Sequence, residues 1–140
     1  MLVRDIMTEN PGCCRPDDQL QVVAKIMVDR DCGEVPIVDE KGRLVGVITD
    51  RDIACRGVAQ GLTPDVRVSE IMSRKVFTVT AGTSVADCCK TLELNQIRRA
   101  PVVDEHGSCC GMVSQADIAL HAGEQQVAQV VREVSQPAAP

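Results

Sequence analysis

Apolar residues recur along the chain in two short-period patterns that alternate. Leu20, Val23, Ala24 and Met27 fall at i, i+3, i+4 and i+7, which predicts one buried face of a helix. Val85, Cys88, Cys89 and Leu92 repeat that spacing further on and predict a second helix, with both cysteines on its core face. Asp17 and Asp18, after Pro16, are cap candidates for the first helix, and Thr83 or Ser84 for the second. Each helix is followed by two short apolar runs around a polar turn, the signature of a hairpin. In the first, Glu34 to Val38 and Leu44 to Ile48 flank Asp39-Glu40-Lys41-Gly42. In the second, Ala100 to Val103 and Cys109 to Val113 flank Asp104-Glu105-His106-Gly107. Extended pieces near Cys13 to Arg15 and Val76 to Val79 precede the helices, and a further helix starts at Thr49 and at Ser114.

These patterns are copies of each other. Val3-Arg4-Asp5-Ile6-Met7-Thr8 returns as Val68-Ser69-Glu70-Ile71-Met72-Ser73, a shift of 68 − 3 = 65. The same shift carries Pro36-Ile37-Val38-Asp39-Glu40 onto Pro101-Val102-Val103-Asp104-Glu105, and Asp52-Ile53-Ala54 onto Asp117-Ile118-Ala119, with no gap. Register held over that span indicates duplication. The predicted fold class is mixed α/β (α+β), two tandem β-α-β-β-α units related by pseudo-two-fold symmetry. One unit is too small to bury much core alone, so the copies are expected to pack sheet to sheet around one shared core. The expected organisation is a first repeat over 1–60, a linker over 61–67, a second repeat over 68–122, and a C-terminal helix and tail over 123–140. Gly57, Gly61 and Pro64 make the whole of Arg56 to Arg67 read as a connection. Val127, Val130, Val131 and Val134 predict a short amphipathic helix, lying on the body or on a partner chain. Pro137 to Pro140 is expected to fray.

Composition narrows the function classes. In 140 residues there are 15 basic and 20 acidic side chains, a net charge of −5, and one aromatic residue, Phe77. Nucleic-acid binders rely on basic surfaces and aromatic platforms, so this balance argues against them. No apolar run suits a membrane span, and Arg4, Asp5 and Glu9 interrupt any secretory pattern, so a cytoplasmic protein is expected. Six of the eight cysteines form adjacent pairs without zinc-knuckle spacing, which argues for buried thiols over a metal site. A disulfide between Cys13 or Cys14 and Cys32 is the weaker alternative. There is no Walker-type loop, no dinucleotide-binding glycine motif and no histidine placed near a nucleophile, so catalysis is not expected.

Candidate chemistry sits where the second strand of each hairpin meets its helix. Thr49-Asp50-Arg51-Asp52 and Ser114-Gln115-Ala116-Asp117 put a hydroxyl at a helix start and a carboxylate three residues on. Structurally this is a capping box. Functionally, the helix start and hydroxyl suit a phosphate, and the carboxylate suits the two hydroxyls of a ribose. Apolar residues at Val35-Pro36 and Ala100-Pro101 could sandwich a base. The two copies differ in charge: Arg98-Arg99 stands where the first copy has Gly33-Glu34, and Arg51 where the second has Ala116. A polyphosphate needs several cationic donors, which favours the second copy.

Two rounds of Ile-Met, a Pro-containing strand, Asp-Glu-x-Gly and Gly-x-x-Thr/Ser-x-x-Asp resemble a pair of CBS domains. The resemblance covers essentially residues 1 to 122. In length and layout the chain is similar to small stand-alone bacterial proteins of this kind, the hypoxic-response type among them. The resemblance implies a regulatory module that senses adenosine-containing ligands (AMP, ADP or ATP, or NAD or S-adenosylmethionine) in clefts between the repeats. By position, Asp52 and Asp117 would hold ribose, and Thr49 and Ser114 phosphate or ribose. Arg51, Arg98 and Arg99 would face phosphate. Val35, Pro36, Ala100 and Pro101 would line the adenine pocket with Cys14-Arg15-Pro16 and Val79-Thr80-Ala81. It also implies a homodimer and an effector protein that the sequence does not identify. The alternative is a dimerising protein-interaction scaffold without a small ligand.

Overall fold

The computed structural model describes residues 1–137, so the last three residues of the expected frayed tail lie outside the described residues. In chain order, strand β1 (Thr8–Glu9) is followed by helix α1 (Leu20–Arg30) and the hairpin β2 (Glu34–Val38) and β3 (Leu44–Thr49). A short helical turn α2 (Asp50–Asp52) comes next, and then β4 (Val79–Thr80) and α3 (Val85–Asn95). The second hairpin is β5 (Arg99–Val103) and β6 (Cys109–Ser114), and the chain closes with α4 (Gln115–His121) and α5 (Glu124–Val134). The mixed α/β class and both hairpins follow the sequence pattern. No helix among the described residues is long and apolar enough to cross a membrane.

The chain folds as two compact units. One comprises Met1–Asn10, Phe77–Glu105 and Cys110 onward; the other comprises Pro11–Val76 and His106–Cys109. In the first, the sheet order is β1-β6-β5-β4, with β1 antiparallel to β6 and β4 parallel to β5. In the second, β2 and β3 form the hairpin; Cys14 bridges in parallel to Ile37, and Ser73 bridges antiparallel to Val47. These are the same contacts displaced by the repeat. Thr8 pairs with Met112 and Ser73 pairs with Val47, where 73 − 8 = 65 and 112 − 47 = 65. The opening segment of each copy therefore lies against the other copy's hairpin.

Two glycines make that pairing possible. A Cβ on Gly46 would stand 2.8 Å from the Ser73 carbonyl oxygen. One on Gly111 would stand 2.7 Å from Met7 Sδ and 3.1 Å from the Thr8 carbonyl oxygen. A larger residue at Gly46 would crowd the backbone of the incoming segment, while at Gly111 the end of the Met7 side chain would have to move first.

The single shared core expected from the duplication gives way to two buried clusters among the described residues. One gathers Val3, Ile6 and the inner faces of α3, β5 and β6, with Ile118, Val130 and Val134. The other gathers Leu20, Val23, Val35, Ile37 and Ile48 with Val68, Ile71 and Met72. Cys88 and Cys89 are buried in the first cluster, as their helical spacing predicts. Helix α5 lies on the body of its unit: Val130 and Val134 are buried and Val127 packs at the edge.

Three local expectations need correction. Asp17 and Asp18 do not cap α1. Its N-cap is Gln19, without a side-chain cap bond. Asp18 Oδ2 instead accepts from the Arg15 N–H at 2.7 Å. The first helical N–H groups donate to the Val66 and Pro64 carbonyls, at 2.9 and 3.0 Å. The segment read as a plain connection from Arg56 is helical at its start: a π-type turn spans Ile53–Gly57 and a 3-10 turn Val58–Gln60. Gly57 is buried, its Cβ direction facing Leu20 and Ile71. None of the eight cysteines is in a disulfide among the described residues, and Cys13 is in hydrogen-bonding contact with Cys109.

Candidate functional site

Each hairpin ends in the hydroxyl-carboxylate turn, and in both units it is a complete capping box. The Thr49 N–H donates to Asp52 Oδ2 at 3.0 Å, and the Asp52 N–H donates to Thr49 Oγ1 at 3.0 Å. In the other unit the Ser114 N–H donates to Asp117 Oδ2 at 2.8 Å, and the Asp117 N–H donates to Ser114 Oγ at 3.3 Å. Ser114 Oγ also lies 3.0 Å from Asp117 Oδ2, placed to donate to it. These bonds satisfy the orphan donors of each helix start. They also fix the carboxylate, which is only part-buried in either turn.

The free carboxylate oxygens differ. Asp52 Oδ1 lies 3.9 Å from Arg56 Nε, and the same guanidinium donates through Nη1 to the Ile71 carbonyl at 3.3 Å. Asp117 Oδ1 makes no hydrogen bond or ion pair among the described residues. So the first copy's acid is partly neutralised from within, and the second copy's acid is open to a donor. The cations run the same way. The Gln115 N–H donates to the Arg98 carbonyl at 2.7 Å, which sets Arg98 beside the Ser114 turn. Arg98 is exposed and Arg99 half-buried, and neither has a carboxylate partner among the described residues. In the first copy Arg51 is exposed, and Glu34 sits across the hairpin from Thr49. Gln115 also carries a buried Oε1 without a hydrogen-bond partner, a feature that the sequence reading missed. Only packing decides whether that amide is satisfied, so no sequence signal could have found it.

The apolar candidates are gathered unit by unit. Val35 and Pro36 are fully buried on β2, opposite Ile48 and Val47. Cys14 lies beside them: its N–H donates to the Pro36 carbonyl at 3.0 Å, and its own carbonyl accepts from Val38 at 2.9 Å. Pro16 is half-buried and Arg15 exposed. In the other unit Ala100, Pro101 and Val79 are buried and Thr80 is exposed. The Thr80 N–H donates to Thr83 Oγ1 at 3.0 Å, the counterpart of the Arg15–Asp18 bond. Val35, Ala100 and Val79 point into the hydrophobic clusters, so what they can offer a base is backbone and rim. Burial and the nearby Asp18 and Cys13 push the Cys14 thiol up to about 12, which keeps it neutral. No group of three or more His, Cys, Asp or Glu side chains that could hold a metal occurs among the described residues.

The comparisons with known proteins identify the family. The CBS-domain family model matches residues 3–56 and again 68–124. The chain belongs to the CBS-domain family, as a tandem pair. Among curated proteins it is similar to Hypoxic response protein 1 of Mycobacterium tuberculosis. That match is 36% identical over 137 residues, 97% of this chain and 95% of that one. A crystal structure of Hypoxic Response Protein I with two coordinated zinc ions superposes with a TM-score of 0.79 at 35% identity, covering 88% of this chain and 100% of the other. The CBS domain pair of protein MJ0100, in complex with 5-methylthioadenosine and S-adenosyl-L-methionine, superposes with a TM-score of 0.80. It is 33% identical and covers 88% of this chain and 100% of its own.

Proposed function

We propose that this protein is a regulatory module that binds an adenosine-containing ligand, AMP, ADP, ATP, NAD or S-adenosylmethionine, through its two hydroxyl-carboxylate turns. The observation that carries the reading is the second turn. There a fixed, part-buried carboxylate leaves Asp117 Oδ1 without a partner among the described residues, in a turn whose Gln115 N–H donates to the Arg98 carbonyl, and neither Arg98 nor Arg99 has an acid partner among those residues. A carboxylate oxygen accepts from the hydroxyls of a ribose, and Arg98 and Arg99 suit its phosphates. Asp52, held by Arg56, offers the weaker site, with Thr49 and Arg51 beside it. Cys14, Arg15, Pro16, Val35 and Pro36 would border the base in the first copy, and Val79, Thr80, Ala100 and Pro101 in the second. Support from relatives is that the MJ0100 pair holds two adenosine-containing molecules.

Regulation would work by linkage: a ligand that prefers one arrangement shifts the population toward it, and a partner reads the shift. We place the protein in the cytoplasm, where a chain with eight cysteines is normally kept reduced. Strongly exposed Val28, Leu94 and Leu120 suit a homodimer or an effector protein. One observation favours the scaffold reading instead. Both hydroxyls and one oxygen of each carboxylate are already used in capping.

Calorimetric titration of the five ligands into wild type, Asp52→Asn and Asp117→Asn separates the two. Asn preserves an acceptor for the cap and removes the charge. The sensor reading expects binding near micromolar, about 8 kcal/mol, weakened more by Asp117→Asn than by Asp52→Asn. If folded wild type binds none of the five, the scaffold reading replaces it.

A further inference from the structure

One side-chain cluster lies outside the turns and is used by nothing described above. Cys13, ahead of the Cys14–Ile37 bridge, meets Cys109, the first residue of β6, within the same compact unit. The two thiols are in hydrogen-bonding contact, and both are half-buried. Cys13 Sγ also lies 3.3 Å from the Pro11 carbonyl oxygen, to which its thiol donates. The backbone holds the second thiol in place, since the Cys109 N–H donates to the Gly42 carbonyl at 3.2 Å. The fold does not require sulfur here. Displaced by 65, the same two positions are Thr78 and Leu44.

We propose that Cys13 and Cys109 are a redox-active pair that a peroxide-class oxidant closes into an intramolecular disulfide, a modification site separate from the ligand turns. The proposal is independent of the adenosine reading. The Cys13 thiolate attacks one oxygen of hydrogen peroxide and the O–O bond breaks. That oxygen stays on sulfur as the sulfenic acid, and the other leaves as hydroxide and takes a proton to become water. The Cys109 sulfur then attacks Cys13 sulfur, the S–O bond breaks, and the oxygen departs with the Cys109 proton as a second water. Two thiols lose two electrons and one peroxide gains them. A dithiol reductant reverses the bridge.

Local electrostatics prepare Cys13 to attack. The Cys109 hydrogen bond is the largest influence and the Arg30 cation a smaller one. Together they outweigh burial and bring the Cys13 thiol down to about 7. The adjoining Cys14 is pushed the other way and stays inert. Cys88, Cys89 and Cys110 are likewise raised, with burial as the first cause.

The test uses the full chain, fully reduced, dilute and at pH 7, with one equivalent of hydrogen peroxide. After quenching with an alkylating reagent, digestion and fragment mass spectrometry locate the bridge. The expected product is a chain of monomer size, lighter by two hydrogens, with Cys13 joined to Cys109. A dominant bridge between other cysteines, a cross-linked dimer, or over-oxidised Cys13 with Cys109 still alkylated would overturn the proposal. Alkylation kinetics give a second readout. Wild-type Cys13 should react with a midpoint near pH 7, set by Cys109 and Arg30 with neutral Cys14 adjacent. In Cys109→Ala its rate at pH 7 should fall about tenfold. An unchanged midpoint in that variant also sinks the proposal.

Discussion

Asp52 and Asp117 carry the same local duty in different surroundings, and their substitutions should differ accordingly. Asp52→Ala and Asp117→Ala each remove the reciprocal half of a capping box, with an expected loss of about 1 kcal/mol of stability. Asp52→Ala also strands Arg56, which keeps only its bond to the Ile71 carbonyl. Urea unfolding should therefore rank Asp52→Ala as the more harmful to stability, while titration ranks Asp117→Asn as the more harmful to binding. A single ranking in both assays would mean that loss of binding follows loss of the cap. The hydroxyl-carboxylate pair was legible from its spacing alone. The state of the remaining oxygens was not, because Arg56 reaches Asp52 through the helical turn that follows, a stretch whose glycines read as connection. Asp18 misleads in the same way. Its spacing suits a helix cap, yet the Arg15 N–H claims the carboxylate first.

At the scale of elements, the hairpins and helices follow from periodicity, but the placement of the opening segments does not. Thr8 and Ser73 are equivalent positions, as are Val47 and Met112, so a sequence pattern fits either pairing equally well. Geometry chooses the reciprocal one, and Gly46 and Gly111 give it room. The two glycines should not be equally sensitive. A methyl on Gly46 meets a backbone carbonyl at 2.8 Å, whereas on Gly111 the tightest contact is the movable end of Met7, with backbone at 3.1 Å. Gly46→Ala is expected to cost about 1–3 kcal/mol, as overpacking does, and Gly111→Ala less. Thermal melts of both variants check the order; equal losses would show that Met7 cannot move aside.

For the whole molecule, buried thiols set an alkaline limit. Cys14 in one cluster and Cys88 in the other are each pushed up to about 12 from an ordinary 9.0, chiefly by burial, with nearby negative charge adding to it. The unfolded chain then gives up these protons at lower pH than the folded one. Their contribution is complete below about pH 9 and is lost as pH rises toward 12. The melting temperature should fall across that window, and Cys88→Ala should flatten the fall while lowering stability at neutral pH. A fall of the same steepness in Cys88→Ala would assign it to other groups.

The reciprocal placement of the opening segments has a consequence for synthesis on the ribosome. Thr8 and Glu9 emerge about a hundred residues ahead of their strand partner β6. The unit built mainly from Pro11–Val76 can gather most of its chain early, while Met1 to Arg4 wait for residues 81–85 and Thr8 waits, unpaired, for more than a hundred further residues (112 − 8 = 104). Until then the nascent β3 edge has only Ser73 to close it, and β1 has nothing. A chain stalled between the two repeats would expose that opening segment to any neighbouring copy with a free hairpin edge. The duplicated design thus makes complete translation the step that protects the protein from exchanging strands with its neighbours.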